Sequence, residues 1–361
     1  MSGTNPHATR GAAASRFLAV APRVAIGLTG LFLFILALQI IKSGAKGLVP
    51  ILDGLDVHGA TNSVGFGWLL AYLALSGSPV AAIGITLLAG GVMSENEAFG
   101  MVGGSRLGAS FIVLAVGFFL FLRKQRNADG LYIGVVALIT TITTQGPAIL
   151  LGLVSLHYGW LDGVQFGTPS SLLDIIDRIY GPPVDAVNAV LPQLGAFGAG
   201  VGLLLASFTI FDRALPQLDG EAEGVTRLFG FLNRRPLMFL MGCLVTMTTL
   251  SVSISLTVLV PLSLKGYLKR EHVIPYVMGA NITTFVDTLV GAVLLGGHSA
   301  FTVVLTEMLS VAAISIFVLM ALYGPYSAAI LRTASWTTAR PSHMLAFLGA
   351  IVAVPAVLLL I

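Results

Sequence analysis

A single offset of 175 residues superposes two stretches of this chain without a gap, residues 61–122 on residues 236–297. It pairs Gly67 with Gly242, Leu75 with Leu250, Ser76 with Ser251, Ser78 with Ser253, Leu87 with Leu262, Gly91 with Gly266 and Gly104 with Gly279. Each copy is an apolar run broken by small polar residues and followed by a second run broken at a glycine. In the first copy the breaks are Ser76, Gly77, Ser78 and then Gly103, Gly104, Ser105, Arg106. In the second they are Thr248, Thr249, Ser251, Ser253, Ser255 and then Gly279, Ala280, Asn281, Thr283, Thr284, Asp287. An internal repeat explains this better than chance.

The medium in which such a repeat folds follows from its polarity. Hydrophobic residues make up 56% of the chain and charged ones 10%, against roughly 25% charged in soluble domains. The chain is therefore expected to be an all-α polytopic membrane protein. Runs at 17–41, 131–156, 193–211, 299–322 and 342–361 meet or approach the about 20 residues that a spanning helix needs, and carry almost no charge. The first is longer than the apolar core of a signal peptide, about 7 to 15 residues, and reads as a retained helix. Cys243 is the sole cysteine, which excludes an internal disulfide. A net charge of +3, scattered over loops, gives no reason to expect nucleic acid.

Charge placement orients the runs. The second serine-containing run lies between Arg234, Arg235 and Lys265, Lys269, Arg270, and basic loops mark the cytoplasmic side. The first lies between Asp53, Asp56, His58 and Glu95, Glu97. Both ends of each run thus fall on one side, and the two runs on opposite sides. Each reads as a re-entrant hairpin turning at its serines, and the repeats come out inverted, an arrangement common among secondary transporters.

The rest of the chain closes on this scheme. Arg10, Arg16 and Arg23 hold the N-terminus in the cytoplasm, and Arg123, Lys124 and Arg126 end the first unit there. Asp162, Asp174, Asp177 and Asp185 lie outside, while Arg213, Arg227, Arg332 and Arg340 return inside. Only Lys42 and Lys46 are on the unfavourable side. The divisions are a cytoplasmic tail (1–16), a first repeat unit (17–126), a connecting helix and outer loop (127–190), an inverted second unit (191–298) and C-terminal spans (299–361). Residues 164–190 and 221–235 read as amphipathic surface helices or loops.

Non-helical backbone at membrane depth is tolerated only where it is buried in protein or lines a cavity, so the breaks point to a site. Ser76, Ser78, Ser251 and Ser253 are the first candidates for anion binding, with Asn281, Thr283 and Thr284 beside them. Ser105, Thr249, Ser255 and Asp287 are candidates for an ion site or a charge pair. Isolated hydroxyls in membrane helices more often bond a carbonyl one turn back. Two sets in register favour the functional reading.

Arg106 is the sharpest single residue. An intramembrane arginine is a functional hypothesis by default, and its planar fork suits phosphate or carboxylate. The competing reading is a structural ion pair with Asp287, and the two are compatible. His58, His157, His272 and His298 read as headgroup anchors, and Trp68, Trp160 and Trp336 as belt or packing residues. No catalytic triad, metal cluster or Walker motif is present, so neither an enzyme nor an ATP-driven pump is expected.

These residues resemble the type II sodium-dependent phosphate cotransporters, whose halves each carry a Gln-Ser-Ser-Ser tip followed by a Gly-Ser/Ala-Asn-Ile-Gly-Thr-Thr segment. Here the second copy reads Leu250, Ser251, Val252, Ser253 and then Gly279, Ala280, Asn281, Ile282, Thr283, Thr284. The first reads Leu75, Ser76, Gly77, Ser78 and then Gly104, Ser105, Arg106, Leu107, Gly108, Ala109, Ser110. The spacing agrees in both copies. The resemblance implies alternating-access transport of phosphate or a similar oxyanion across the cell membrane, with Na+ as candidate coupling ion and no other cofactor. The implied partners are the anion and the lipid bilayer, and an oligomer is compatible. The departures fall on the chemistry: both tip glutamines are leucine, and the first asparagine is Arg106. Arg106 then either binds the anion or stands in for a bound Na+. The alternatives are a carrier of another small anion, such as a carboxylate, and a non-transporting sensor or assembly protein that keeps the fold.

Overall fold

The computed structural model describes residues 6–55, 57–120, 129–164, 168–214, 234–259, 262 and 269–361. Among these the regular structure is entirely helical. The order is α1 (Pro6–Gly44), α2 (Val49–Gly54), α3 (Gly59–Ala74), α4 (Ser78–Ala89), α5 (Glu95–Ala109), α6 (Phe111–Leu120), α7 (Asp129–His157), α8 (Ser170–Val190) and α9 (Gln193–Ala214). There follow α10 (Arg235–Thr249), α11 (Val252–Thr257), α12 (Arg270–Thr283), α13 (Val286–Leu294), α14 (His298–Phe317), α15 (Tyr323–Ala339) and α16 (Pro341–Leu360). Seven stretches among the described residues are long and apolar enough to cross a membrane. The chain is a multi-pass membrane protein.

Helix starts follow their local chemistry. At α5, Ser94 Oγ accepts from the Glu97 N–H at 3.3 Å while the Ser94 N–H donates to Glu97 Oε2 at 2.8 Å. That reciprocal pair satisfies donors which would otherwise be orphaned at the helix end. The other oxygen of Glu97 accepts from the Gly59 N–H at 3.0 Å, which ties the start of α3 to the start of α5.

Glycines let the paired helices touch. A Cβ on Gly67 of α3 would lie 2.2 Å from the Met101 carbonyl oxygen of α5, and one on Gly242 of α10 would lie 2.0 Å from the Tyr276 oxygen of α12. A Cβ on Gly104 would lie 2.1 Å from the Val64 oxygen, and one on Gly279 2.1 Å from the Phe239 oxygen. Every one of these eight positions has its counterpart 175 residues away, so the close helix pairing occurs twice. Membrane helices gain from such contacts because lipid offers side chains as apolar a setting as the protein does, and tight packing decides.

The structure departs from the sequence reading in particular places. The second run of each unit is not broken at its glycines: α5 is helical through Gly103 and Gly104 to Ala109, and α12 through Gly279 to Thr283, because each glycine serves close helix packing rather than a turn. Helix α1 begins at Pro6, within the segment read as the tail, and its apolar, span-length part starts at Pro22. The loop expected after residue 322 is absent: α14 continues through a π-helical turn, Val318–Leu322, into α15, and Arg332 lies within that helix. Pro325 accounts for the turn, because its ring and missing N–H disturb the preceding helical turn, which widens to accommodate it. Residues 170–190 form a surface helix with Ile176 and Tyr180 buried and Asp174, Asp177 and Asp185 exposed. Asp56, Arg123, Lys124, Arg126, Arg227, Lys265 and residues 221–233, which the sequence places in loops or surface segments, lie outside the described residues. Lys42, on the unfavourable side of the charge scheme, donates from Nζ to the Leu295 carbonyl at 3.4 Å, at the C-terminal end of α13.

Candidate functional site

Helices α3 and α10 end alike. Leu75 (φ 49°) and Leu250 (φ 47°) are in the left-handed region, the sole non-glycine residues with positive φ among those described. At the first end the Ser76 N–H donates back to the Ala71 oxygen at 3.2 Å, closing the helix in the manner usually left to glycine. The chain then re-enters a helix within a few residues, at Ser78 in one case and Val252 in the other. Ser251 Oγ accepts from the Ile254 N–H at 3.3 Å and caps the start of α11.

The turns converge. Ser76, Ser78 and Leu75 from one, and Leu250, Ser251 and Ile254 from the other, line a single cavity of about 250 Å³. Leu205, Phe208 and Thr209 of α9 complete its lining, none of which the sequence marks out. A larger apolar cavity of about 350 Å³ between α1 and α9 shares Phe208 and Leu250 with it and reaches Asp287.

Arg106 stands behind Ser78 and is 3% exposed. Its Nη1 donates to Ser78 Oγ at 3.3 Å and to Thr284 Oγ1 at 3.2 Å, and its Nη2 donates to Thr288 Oγ1 at 2.6 Å. Nη2 also lies 3.5 Å from Asp287 Oδ1, and the guanidinium carbon lies 4.7 Å from the centre of the Phe285 ring. One side chain therefore joins the first turn to the α12–α13 junction of the second unit. Asp287 Oδ1 in turn accepts from the Thr288 hydroxyl at 2.8 Å. Arg106 Nε and Asp287 Oδ2 are buried without a hydrogen-bond partner.

The remaining predicted residues are engaged elsewhere. Asn281 Nδ2 donates to Thr141 Oγ1 of α7 at 3.0 Å, and Thr283 Oγ1 donates to the Cys243 carbonyl at 2.9 Å. Ser105 Oγ donates to the Val102 carbonyl at 2.6 Å, and Thr249 Oγ1 to the Val245 carbonyl at 2.9 Å. Ser255 bonds Thr246 at 2.7 Å and the Tyr276 hydroxyl at 2.9 Å. Ser253 lies in α11, and its side chain is outside the described set. Trp68 is a packing residue, 4% exposed, with Nε1 donating to the Tyr72 hydroxyl at 2.7 Å.

Sequence reasoning also passes over Glu307 of α14, which is completely buried. Gln145 Nε2 of α7 donates to its Oε1, and its Oε2 has no hydrogen-bond partner. The signal was present, since a carboxylate inside an apolar span is a functional candidate by default. Among the described residues no group of three or more His, Cys, Asp or Glu side chains has the geometry to hold a metal ion. Compared with known proteins, the chain matches no family model, no curated protein and no solved structure.

Proposed function

We propose that this chain is a secondary transporter of inorganic phosphate or a similar small oxyanion, working by alternating access in the cell membrane with its N-terminus in the cytoplasm. The observation that carries the reading is the cavity at which both serine-containing turns meet, with Arg106 directly behind Ser78. Ser76, Ser78 and Ser251 offer hydroxyl donors, and Arg106 supplies the buried positive charge that an oxyanion needs on leaving water. The 175-residue correspondence of the left-handed leucines and of the close glycine contacts supports a structural repeat, and the placement of charge favours its inversion. The resemblance to the type II sodium-dependent phosphate cotransporters points the same way.

The cavity lining favours a second reading. Leu75, Leu250, Phe208 and Ile254 give it an apolar side that suits a small carboxylate with a hydrocarbon body. Radiolabelled phosphate uptake into proteoliposomes, with and without an inward Na+ gradient, tests both. Wild type is compared with Arg106→Ala and with Ser78→Ala, Ser253→Ala. Uptake lost in both variants supports phosphate transport, and its response to Na+ reads out sodium coupling. No phosphate uptake, with uptake of a small carboxylate, selects the second reading. Anion binding with no flux selects a non-transporting role.

A further inference from the structure

We propose that Glu307 is a proton-binding site through which the proton gradient drives anion entry, so that a proton and the anion cross together. The proposal rests on the transport reading and names its coupling ion. Glu307 sits at 0% exposure in the middle of α14. One carboxylate oxygen accepts from Gln145, while the other is buried and accepts nothing. An ionised carboxylate is acceptor-only and needs donors at both oxygens, whereas a protonated one is neutral. A proton on Oε2 removes the buried charge at the oxygen that lacks a donor.

The helix packed against it leaves room for this group. A Cβ on Gly103 of α5 would lie 2.7 Å from Glu307 Oε1, so that glycine makes space for the carboxylate. Gly103 is one helical turn before Arg106 on the same helix. The other neighbours of α14 add little charge. Helix α13 presents Asp287, which Arg106 already holds, and α7 presents the uncharged Gln145. Helix α4 carries no titratable residue. On α12 the charged residues Arg270 and Glu271 and the titratable His272 lie in the first turn, and Tyr276 is bonded to Ser255.

Charge arithmetic supplies the coupling. Arg106 contributes one positive charge, and Asp287 and Glu307 one negative charge each when ionised. With both ionised the cluster is net negative and opposes an incoming anion. Protonating Glu307 makes it neutral and removes the repulsion that an incoming anion meets. In the transport step a proton from the outer aqueous phase forms an O–H bond at Glu307, the anion binds, and both leave to the inner phase. With monovalent phosphate the step moves no net charge.

Full-length protein in proteoliposomes tests this with radiolabelled phosphate, with or without an inward proton gradient. A gradient of about one pH unit supports about tenfold accumulation of monovalent phosphate in a one-to-one symport. Wild type is expected to accumulate phosphate under the gradient, and Glu307→Gln, isosteric and permanently neutral, to show no stimulation by it. Glu307→Asp, which still titrates, is expected to retain some stimulation. Equal stimulation in wild type and Glu307→Gln overturns the proposal and leaves phosphate transport standing. The infrared band of protonated carboxyl groups, followed through a pH titration without phosphate, gives a second reading. Wild type is expected to show one titrating component that Glu307→Gln lacks, the other carboxyl groups titrating alike in both, and identical titrations in the two overturn the proposal. If phosphate does not move in any sample, the transport reading falls, and the infrared titration alone decides whether Glu307 takes the proton.

Discussion

Nη2 of Arg106 stands 3.5 Å from Oδ1 of Asp287, with both side chains almost wholly enclosed. The pair links α5 to α13, elements separated by about half of the chain. Removing one partner of a buried pair leaves an uncompensated charge, which typically costs about 3–5 kcal/mol. Arg106→Ala should therefore lower the unfolding temperature in detergent markedly, and adding Asp287→Ala should recover much of the loss. The exchanged pair, Arg106→Asp with Asp287→Arg, should fold and yet not transport. A double variant as unstable as the sum of the singles would show that the two side chains do not act as a pair.

Leu75 and Leu250 bear on the turns themselves. A left-handed backbone costs an L-residue roughly 1–2 kcal/mol, a penalty that glycine avoids and β-branching worsens. Leu75 is 51% exposed, so little apolar burial is lost on shortening it. Leu75→Gly should hold or raise the unfolding temperature, and Leu75→Ile should lower it by an amount worth about 1–2 kcal/mol. A drop with glycine as large as that with isoleucine would mean that the leucine side chain, not its backbone, is what the site needs.

How much of this was legible beforehand depends on how far apart the partners lie. The 175-residue correspondence, the turns near the serines and a pair of Arg106 with Asp287, as one of two readings of that arginine, follow from spacing and from the rarity of charge in apolar runs. The company kept by each hydroxyl does not. Asn281 looks like a ligand in one dimension, yet its amide is taken up by Thr141, 140 residues away. Glu307 is a lone acid in an apolar run, and the donor that gives it meaning, Gln145, is 162 residues away. Thr209 and Phe208 reach the cavity only because α9 packs along α1. Local pattern carries the elements, and side-chain pairing across helices decides which polar residues remain available.

The glycine contacts make a sharper forecast than helix propensity would. In an ordinary helix, Gly→Ala stabilises by up to about 1 kcal/mol. Gly198 of α9 has open space around the position of a Cβ, and Gly198→Ala should behave in that way. Gly242→Ala would bring a methyl to 2.0 Å from the Tyr276 oxygen and force α10 away from α12. Overpacking of this kind costs typically about 1–3 kcal/mol, so its unfolding temperature should fall. Opposite signs for the two variants in one detergent series are the expected result, and a stabilised Gly242→Ala would contradict the close packing.

Orientation is the last quantity that the charges forecast. Glu95 and Glu97 lie at the start of α5, while Lys269 and Arg270 lie at the start of α12, positions 175 residues apart or nearly so in the repeat. In an inverted pair those helix starts face opposite sides of the membrane, because one loop is acidic and the other basic. In a parallel pair they face the same side. Single cysteines in a Cys243→Ser background, one at Glu95 and one at Lys269, can be probed in intact cells with an impermeant thiol reagent. Labelling at Glu95 with none at Lys269 is expected, and permeabilisation should then expose Lys269. Labelling of both from outside would make the repeats parallel, and the reverse pattern would turn the whole protein over in the membrane.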